Sequence, residues 1–244
     1  MKAYRTNLFR WWLVVVFAAA MAWVEAAVVF YLRSLMHRIE PYQPDPLPVM
    51  GGFASVELPR EFATLVMLFV VGWLAGRTWR ARLGFFALAF GIWDIFYYLF
   101  LKIICGWPHS LLDWDVLFLL PMPWWGPVLA PVLISLLLVS WGTLASQFPE
   151  TSPTTAFHRP VWTLSFLGTA LALYVFMANA LAAAPDGLGA IRTALPERFH
   201  WRLFGVALAL MAAPLMERYR QMVLHRPTPF ATVVTDPKNP CNRP

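Results

Sequence analysis

The chain is poor in charged residues and contains almost no cysteine. Only 13% of its 244 residues are Asp, Glu, Lys or Arg, about half the share found in soluble globular domains. Its two cysteines are too few for a disulfide scaffold. A hydrophobic content of 59% is far too high for a disordered chain. These values exclude a water-soluble single domain, a small disulfide-rich domain and an intrinsically disordered protein.

Motifs of the common enzyme classes are also absent from the sequence. The chain contains no His-Glu-x-x-His zinc motif, no Gly-x-Ser-x-Gly nucleophile elbow and no phosphate-binding glycine loop. Its net charge of +6 is accounted for by basic loops between apolar segments, so no nucleic-acid partner is predicted.

Long apolar segments make up most of the chain. About 20 helical residues are needed to cross the hydrocarbon core of a bilayer, which is roughly 30 Å thick. Six segments approach this length, at residues 11–32, 61–76, 83–104, 124–145, 161–184 and 199–216. The sequence therefore predicts an all-α integral membrane protein, with a six-transmembrane-helix bundle over residues 1–226 that contacts the lipid bilayer directly. The first segment resembles a secretory signal, but its length favours a retained span.

The basic residues predict the orientation of this bundle. With six spans and a cytoplasmic amino terminus, 12 of the 19 Lys and Arg residues fall on the cytoplasmic side. A five-span arrangement would lose that excess. We therefore predict that the N and C termini are both cytoplasmic, in a bacterial-type inner membrane.

Acidic residues interrupt three of the predicted spans. Glu25 lies in the first span, Glu61 opens the second, and Asp94 lies near the middle of the third. A charged side chain near the bilayer centre costs about 2.5 to 3.5 kcal/mol on insertion scales, so each acid needs a structural or functional reason. We expect these acids to converge with Asp113 and Asp115 in the outer half of the bundle.

A polar stripe follows the third predicted helix. Asp94, Tyr98 and Lys102 recur at i, i+4 and i+8 and therefore share one face. Two interpretations stay open: a path for protons or cations, and internal pairing that satisfies the acid. The candidate cation- or proton-binding residues are therefore Glu25, Glu61, Asp94, Tyr98, Lys102, Asp113 and Asp115.

A divalent metal site is a further hypothesis, and metal is the one cofactor that the residues suggest. Glu25, Glu61, Asp94 and His109 would supply carboxylate and imidazole ligands. The spacing is not diagnostic, because neither glutamate is followed by histidine at the Glu-x-x-His interval of carboxylate-bridged metal bundles.

Most of these residues also have a purely structural interpretation. Glu61 suits the first turn of a helix, where a carboxylate is favoured by the helix dipole. Asp113 and Asp115 are typical of solvated loop acids or helix caps, and His109 is typical of a turn at the membrane interface. Glu25 is the hardest to explain in this way, because no basic residue lies within two helical turns along the sequence.

The segment before the fourth span contains several prolines, at positions 121, 123, 127 and 131. They exclude one regular helix through this segment. We predict a short helix at about Leu111 to Leu120, followed by a turn. A re-entrant helix that lines a cavity and an interfacial helix in the aromatic belt both stay open.

Residues 227–244 form a polar, proline-rich tail that is predicted to be cytoplasmic. Such a tail is expected to be disordered alone, so other membrane subunits are predicted partners for it. Three functional hypotheses follow: a cation- or proton-binding site, a non-catalytic subunit of a larger membrane complex, and a metal-dependent membrane enzyme.

Overall fold

The computed structural model describes residues 2–42, 53–117, 122–147 and 159–224. Its long helices are α1 (Lys2–Leu35), α2 (Phe53–Ala75), α3 (Trp79–Cys105), α4 (Leu129–Gln147) and α5 (Arg159–Ala182). The shorter elements are strands β1 (Trp114–Val116) and β2 (Trp125–Pro127), a 3₁₀ turn (Ala184–Asp186), and helices α6 (Leu188–Thr193), α7 (Trp201–Met211) and α8 (Ala213–Leu224).

Five helices in the described part of the chain are long and apolar enough to cross a membrane. The candidate spans are Asn7–Leu35, Val56–Ala75, Trp79–Cys105, Leu129–Gln147 and Pro160–Ala182. Large apolar side chains such as Phe9, Leu74 and Phe166 are exposed on their outer faces, which is consistent with contact to lipid. The structure thus agrees with the predicted helical, multi-pass architecture.

The sixth predicted span, 199–216, is not one regular helix. α7 ends at Met211 and α8 begins at Ala213, because the nitrogen of Pro214 cannot donate a hydrogen bond to the preceding turn. The 11 residues of α7 alone rise about 16 Å, which is too short to cross the hydrocarbon core. Helix length therefore does not confirm a count of six spans.

Small residues allow the helices of the bundle to pack closely. Ala18, Ala22 and Ala26 recur every four residues on α1 and are fully buried. Ala18 and Ala22 pack in a cluster with Phe85 and Leu88 of α3. Helix α3 also packs against α2 and α4, so it lies at the centre of the α1 to α4 group, while α7 packs against α5.

The contact between α3 and α4 depends on glycine. A Cβ atom added at Gly91 of α3 would lie 2.6 Å from the carbonyl oxygen of Ser135 on α4. A Cβ atom at Gly142 of α4 would meet the carbonyl oxygen of Gly84 and lie 2.7 Å from the nitrogen of Leu88. These glycines bring the two backbones together and set the side chains that flank them at hydrogen-bonding distance.

A β-hairpin lies where a re-entrant or interfacial helix was predicted. Strands β1 and β2 pair antiparallel, with Asp115 opposite Gly126. Described residues 106–117 contain turns and β1 and no helix, so the helix expected over 111–120 is not confirmed. The prolines of this segment disfavour a helix, because proline lacks an N–H and disfavours a helical conformation in the residue before it. The paired strands satisfy each other's backbone groups at the end of the bundle.

Two predicted helix boundaries are also corrected. α2 begins at Phe53 and not at Glu61, so Pro59 lies inside the helix. α4 begins at Leu129 and not at residue 124, because Trp125–Pro127 belongs to β2. The tail at 227–244, on which the prediction of partner subunits depends, lies outside the described residues.

Candidate functional site

A cavity of about 410 Å³ lies in the half of the bundle next to the hairpin. Its size falls within the usual range for small-molecule sites in proteins. Along α1 it extends from Glu25 to Met36, which is about 16 Å of helix. Helices α1 to α5, the hairpin and the end of α7 all contribute to its wall. It is the site at which most of the buried charges of the described chain are found.

Helix α2 presents its most polar face to this cavity. Glu57, Arg60, Glu61 and Thr64 recur at i, i+3, i+4 and i+7, and all four line the wall. We call these four residues the α2 stripe. Neighbouring residues on the opposite face, such as Phe62, are apolar and exposed. The spacing places the charged side chains towards protein and the apolar ones towards lipid.

Arg60 connects the α2 stripe to α1. Its guanidinium donates hydrogen bonds to the carboxylates of both Glu25 on α1 and Glu57 on α2, including one from Nε to Oε2 of Glu57 at 2.9 Å. The hydroxyl of Thr64 donates to Oε2 of Glu25 at 3.3 Å. Glu25 therefore has a cationic partner, but this partner comes from a neighbouring helix and not from α1 itself.

A second ion pair connects the hairpin to α1. Nη2 of Arg33 donates to Oδ1 of Asp115 at 2.8 Å, and both side chains are buried. The Arg33 guanidinium also lies over the ring of Trp107, 4.4 Å from its centroid. The backbone N–H of Val116 donates to Oδ1 of Asp115 at 2.9 Å. The interpretation of Asp115 as a solvated loop acid is wrong, because its relative exposure is 1%.

Asp115 lies outside the candidate spans, and the pKa of its carboxyl is shifted by its surroundings in this site. Burial raises the pKa of the Asp115 carboxyl above its ordinary value. The charge of Arg33 and the Val116 N–H act in the opposite direction, because both stabilise the carboxylate. The charge on Asp115 therefore depends on its contact with Arg33.

Asp94 lies deeper in the bundle and has a neutral partner. The Ser135 hydroxyl donates to Oδ2 of Asp94 at 2.8 Å. No cationic side chain bonds Asp94 in the part of the chain that the structure describes. Next to it, Trp93 also lines the cavity, and its indole N–H has no acceptor among the described residues.

Three of the residues predicted to share this site lie outside it. Nζ of Lys102 donates to the carbonyl oxygen of Gly106 at 2.8 Å and is exposed, so it caps α3. Asp113 accepts the backbone N–H of His109 at 2.7 Å and stabilises a turn. The ring of His109 lies 3.2 Å from a carboxylate oxygen of Glu40 at the surface. These contacts agree with the structural interpretations of Asp113 and His109.

The structure thus brings together five of the predicted residues, namely Glu25, Glu61, Asp94, Tyr98 and Asp115, which all line the cavity. In the described ranges, no group of three or more His, Cys, Asp or Glu side chains is arranged to hold a metal ion. A metal centre made of the predicted acids and His109 therefore has no support from the described residues.

Sequence reasoning missed several residues of the wall. Glu57 and Arg60 were assigned to a loop because Pro59 was taken to mark the start of a helix, although the spacing of the α2 stripe was visible in the sequence. The sequence does not mark Ser135 or Trp93 as site residues, because a serine or tryptophan in an apolar segment is common. Their importance follows from their neighbours across helices.

No protein-family model, no curated protein and no solved structure matches this chain.

The charge balance of the cavity is its most informative chemical property. Among the described residues, five carboxylates and three guanidinium groups line it: Glu25, Glu57, Glu61, Asp94 and Asp115, with Arg33, Arg38 and Arg60. With all of them ionised, the acids exceed the bases by two charges. Arg33 and Arg60 bind acids other than Asp94. The cavity is therefore suited to a positively charged guest near Asp94.

Proposed function

We propose that the protein binds a small organic cation inside the membrane, with Asp94 as the counter-ion. The observation that carries this proposal is the environment of Asp94, which is buried, lines the cavity and is bonded in the described chain to the neutral hydroxyl of Ser135. In a medium of low dielectric constant, a carboxylate is strongly stabilised by a nearby cation. In the absence of a guest, a proton on Asp94 would balance the same charge.

An organic cation is favoured over a metal ion by the shape and the ligands of the site. The cavity of about 410 Å³ is much larger than one ion, and apolar side chains such as Ile134 and Leu138 form part of its wall. The described residues offer no group of three metal ligands. A guest with a charged group and a carbon skeleton would contact both the charged and the apolar side chains of the cavity.

Six membrane crossings are part of this proposal, with α7 and α8 together as the sixth. Ala212, between them, keeps a helical backbone, and the two helices with Ala212 make 24 residues, or about 36 Å. Close contacts of Gly168 with Ala207 and of Phe176 with Phe204 support an antiparallel course of α7 along α5. Both termini would then lie on the cytoplasmic side, where Arg77 and other basic residues are concentrated.

Thermal unfolding of the detergent-purified protein tests the cation site. The probe is ethylammonium chloride, compared with sodium chloride at equal ionic strength. A ligand that binds the folded state raises the unfolding midpoint as its concentration exceeds the dissociation constant. We expect ethylammonium to raise the midpoint of the wild type and of Asp113→Asn, whose carboxylate lies in a surface turn, but not that of Asp94→Asn.

Two results would contradict the proposal: equal midpoints of the wild type in the two salts, or the same ethylammonium-dependent rise in Asp94→Asn. If Asp94→Asn does not fold, Thr169→Trp replaces it. Thr169 lines the cavity from an exposed position, so tryptophan there would narrow the cavity while the acids stay unchanged.

A further inference from the structure

The two sides of the cavity differ in chemistry. On one side, α1 and the α2 stripe supply most of the charged groups. On the other side, α4 and α5 supply a wall that is largely apolar, made of Pro131, Ile134, Leu138, Ala172, Leu173 and Phe176. A guest that fills the whole cavity therefore has a polar part and an apolar part. That is the chemistry of an amphiphile.

The apolar side of the cavity reaches the surface of the described structure at α5. Helices α2 and α5 line the cavity from different sides, but their described residues do not pack against each other. α2 packs against α1 and α3, whereas α5 packs against α7. Thr169 of α5 both lines the cavity and is exposed. An opening between these helices would let a lipid place its head group in the cavity while its acyl chains stay in the bilayer.

The deep end of the cavity favours a head group that carries a cation with hydrogen-bond donors. Asp94 accepts hydrogen bonds and attracts a cation. The head group should therefore carry an ammonium donor.

We infer that the guest is an aminophospholipid, whose ammonium group pairs with Asp94. This inference rests on the proposed cation site and adds the class of ligand. A cavity of about 410 Å³ is too small for two acyl chains as well as a head group, so the chains extend between α2 and α5 into the bilayer.

Competition among lipids tests this inference. The detergent-purified full chain is incubated with equal amounts of phosphatidylethanolamine, phosphatidylcholine and phosphatidylglycerol with identical acyl chains, and bound lipid is counted by native mass spectrometry. We expect phosphatidylethanolamine to be preferred by about tenfold, because it alone of the three offers N–H donors to a buried carboxylate. The preference should disappear in Asp94→Asn.

Entry of the lipid between α2 and α5 is tested by a matched pair of variants. Thr169→Trp should reduce the amount of bound phosphatidylethanolamine, because the new ring would lie between α2 and α5. Ala170→Trp should leave it unchanged, because Ala170 is exposed and is not part of the wall of the cavity. An equal reduction in both variants would contradict entry between these helices.

The outcomes separate this inference from the proposed function. Equal binding of the three lipids, or a preference for phosphatidylglycerol, overturns the aminophospholipid assignment. If ethylammonium nevertheless raises the unfolding midpoint in a manner that depends on Asp94, the proposed cation site stands. If neither ethylammonium nor phosphatidylethanolamine binds, both are wrong. If Asp94→Asn does not fold, the lipid preference of the wild type decides the question, together with a loss of bound phosphatidylethanolamine in Thr169→Trp and not in Ala170→Trp.

Discussion

The hydroxyl of Ser135 on α4 donates a 2.8 Å hydrogen bond to the carboxylate of Asp94 on α3. This bond lies beside a close contact of the two helices, where Gly91 packs against the backbone of Ser135. The position of Asp94 is thus determined by helix packing and by a neutral donor. The negative charge itself is not compensated by this bond, which is the property on which the proposed cation site depends.

Loss of the Ser135 hydroxyl should destabilise the protein. In Ser135→Ala, Asp94 loses its hydrogen-bond donor from the described chain, and we expect a cost of about 1 to 3 kcal/mol. The matched control is Ser140→Ala, because the Ser140 hydroxyl is exposed and bonds to the Leu136 carbonyl of its own helix. This control should change stability by less than about 0.5 kcal/mol. Thermal unfolding in detergent measures both, and equal losses would contradict the importance of the interhelical bond.

The ion pair of Arg33 and Asp115 should produce a pH-dependent defect when its cation is removed. In Arg33→Met, the pKa of Asp115 should rise further, because the main opposing influence on it is lost. A carboxyl whose folded-state pKa exceeds its unfolded value of about 3.9 contributes its full stability below that pH and loses it as the pH rises through the folded-state pKa. We therefore expect the midpoint deficit of Arg33→Met to be larger at about pH 8 than at about pH 5.

The double variant Arg33→Met with Asp115→Asn controls for this effect. It has no ionisable group at either position, so its midpoint relative to the wild type should vary less with pH than that of Arg33→Met. An equal pH dependence of the single and double variants would show that another group causes it.

Arg60 should be more important for stability than an ordinary surface arginine. Arg60→Met leaves the carboxylates of Glu25 and Glu57 in a partly buried place without their cation, at an expected cost of about 1 to 3 kcal/mol. Arg60→Lys should restore only part of this loss, because an ammonium group cannot reproduce the geometry of a guanidinium bound to two acids. Arg77→Met, at an exposed position, is the control. Full recovery with lysine would contradict the geometric requirement.

Close packing of α3 and α4 predicts a difference between two glycine substitutions. Gly142→Ala should destabilise the protein by about 1 to 3 kcal/mol, because the added Cβ would overlap the backbone of α3 at Gly84 and Leu88. Gly205→Ala in α7 meets no atom within 4 Å, and it should stabilise the helix by up to about 1 kcal/mol. Thermal unfolding of both variants checks the sign of each effect. A stabilising Gly142→Ala would mean that the helices are not in direct contact there.

Some parts of the site could be predicted from the sequence because their signals are local. The acids Glu25, Glu61 and Asp94 were identifiable as residues that are costly in apolar helices, and all three line the cavity. Their partners were not identifiable, because Glu25 bonds to Arg60 and Asp94 bonds to Ser135 on other helices. A partner on another helix leaves no periodic pattern within either segment.

The sequence by itself determined the helical architecture with several helices apolar and long enough to cross a membrane, because apolar content and segment length depend only on the order of residues along the chain. It also determined that Asp94 and Tyr98 lie on one face of a helix, since helical spacing is fixed at about 3.6 residues per turn. Only the tertiary structure decided that a hairpin carries Asp115 to Arg33, that Pro59 lies inside α2, and that Lys102 and His109 lie outside the cavity. These features depend on contacts between segments distant in sequence, and the energies of such contacts come from burial and geometry that exist only after the helices have packed.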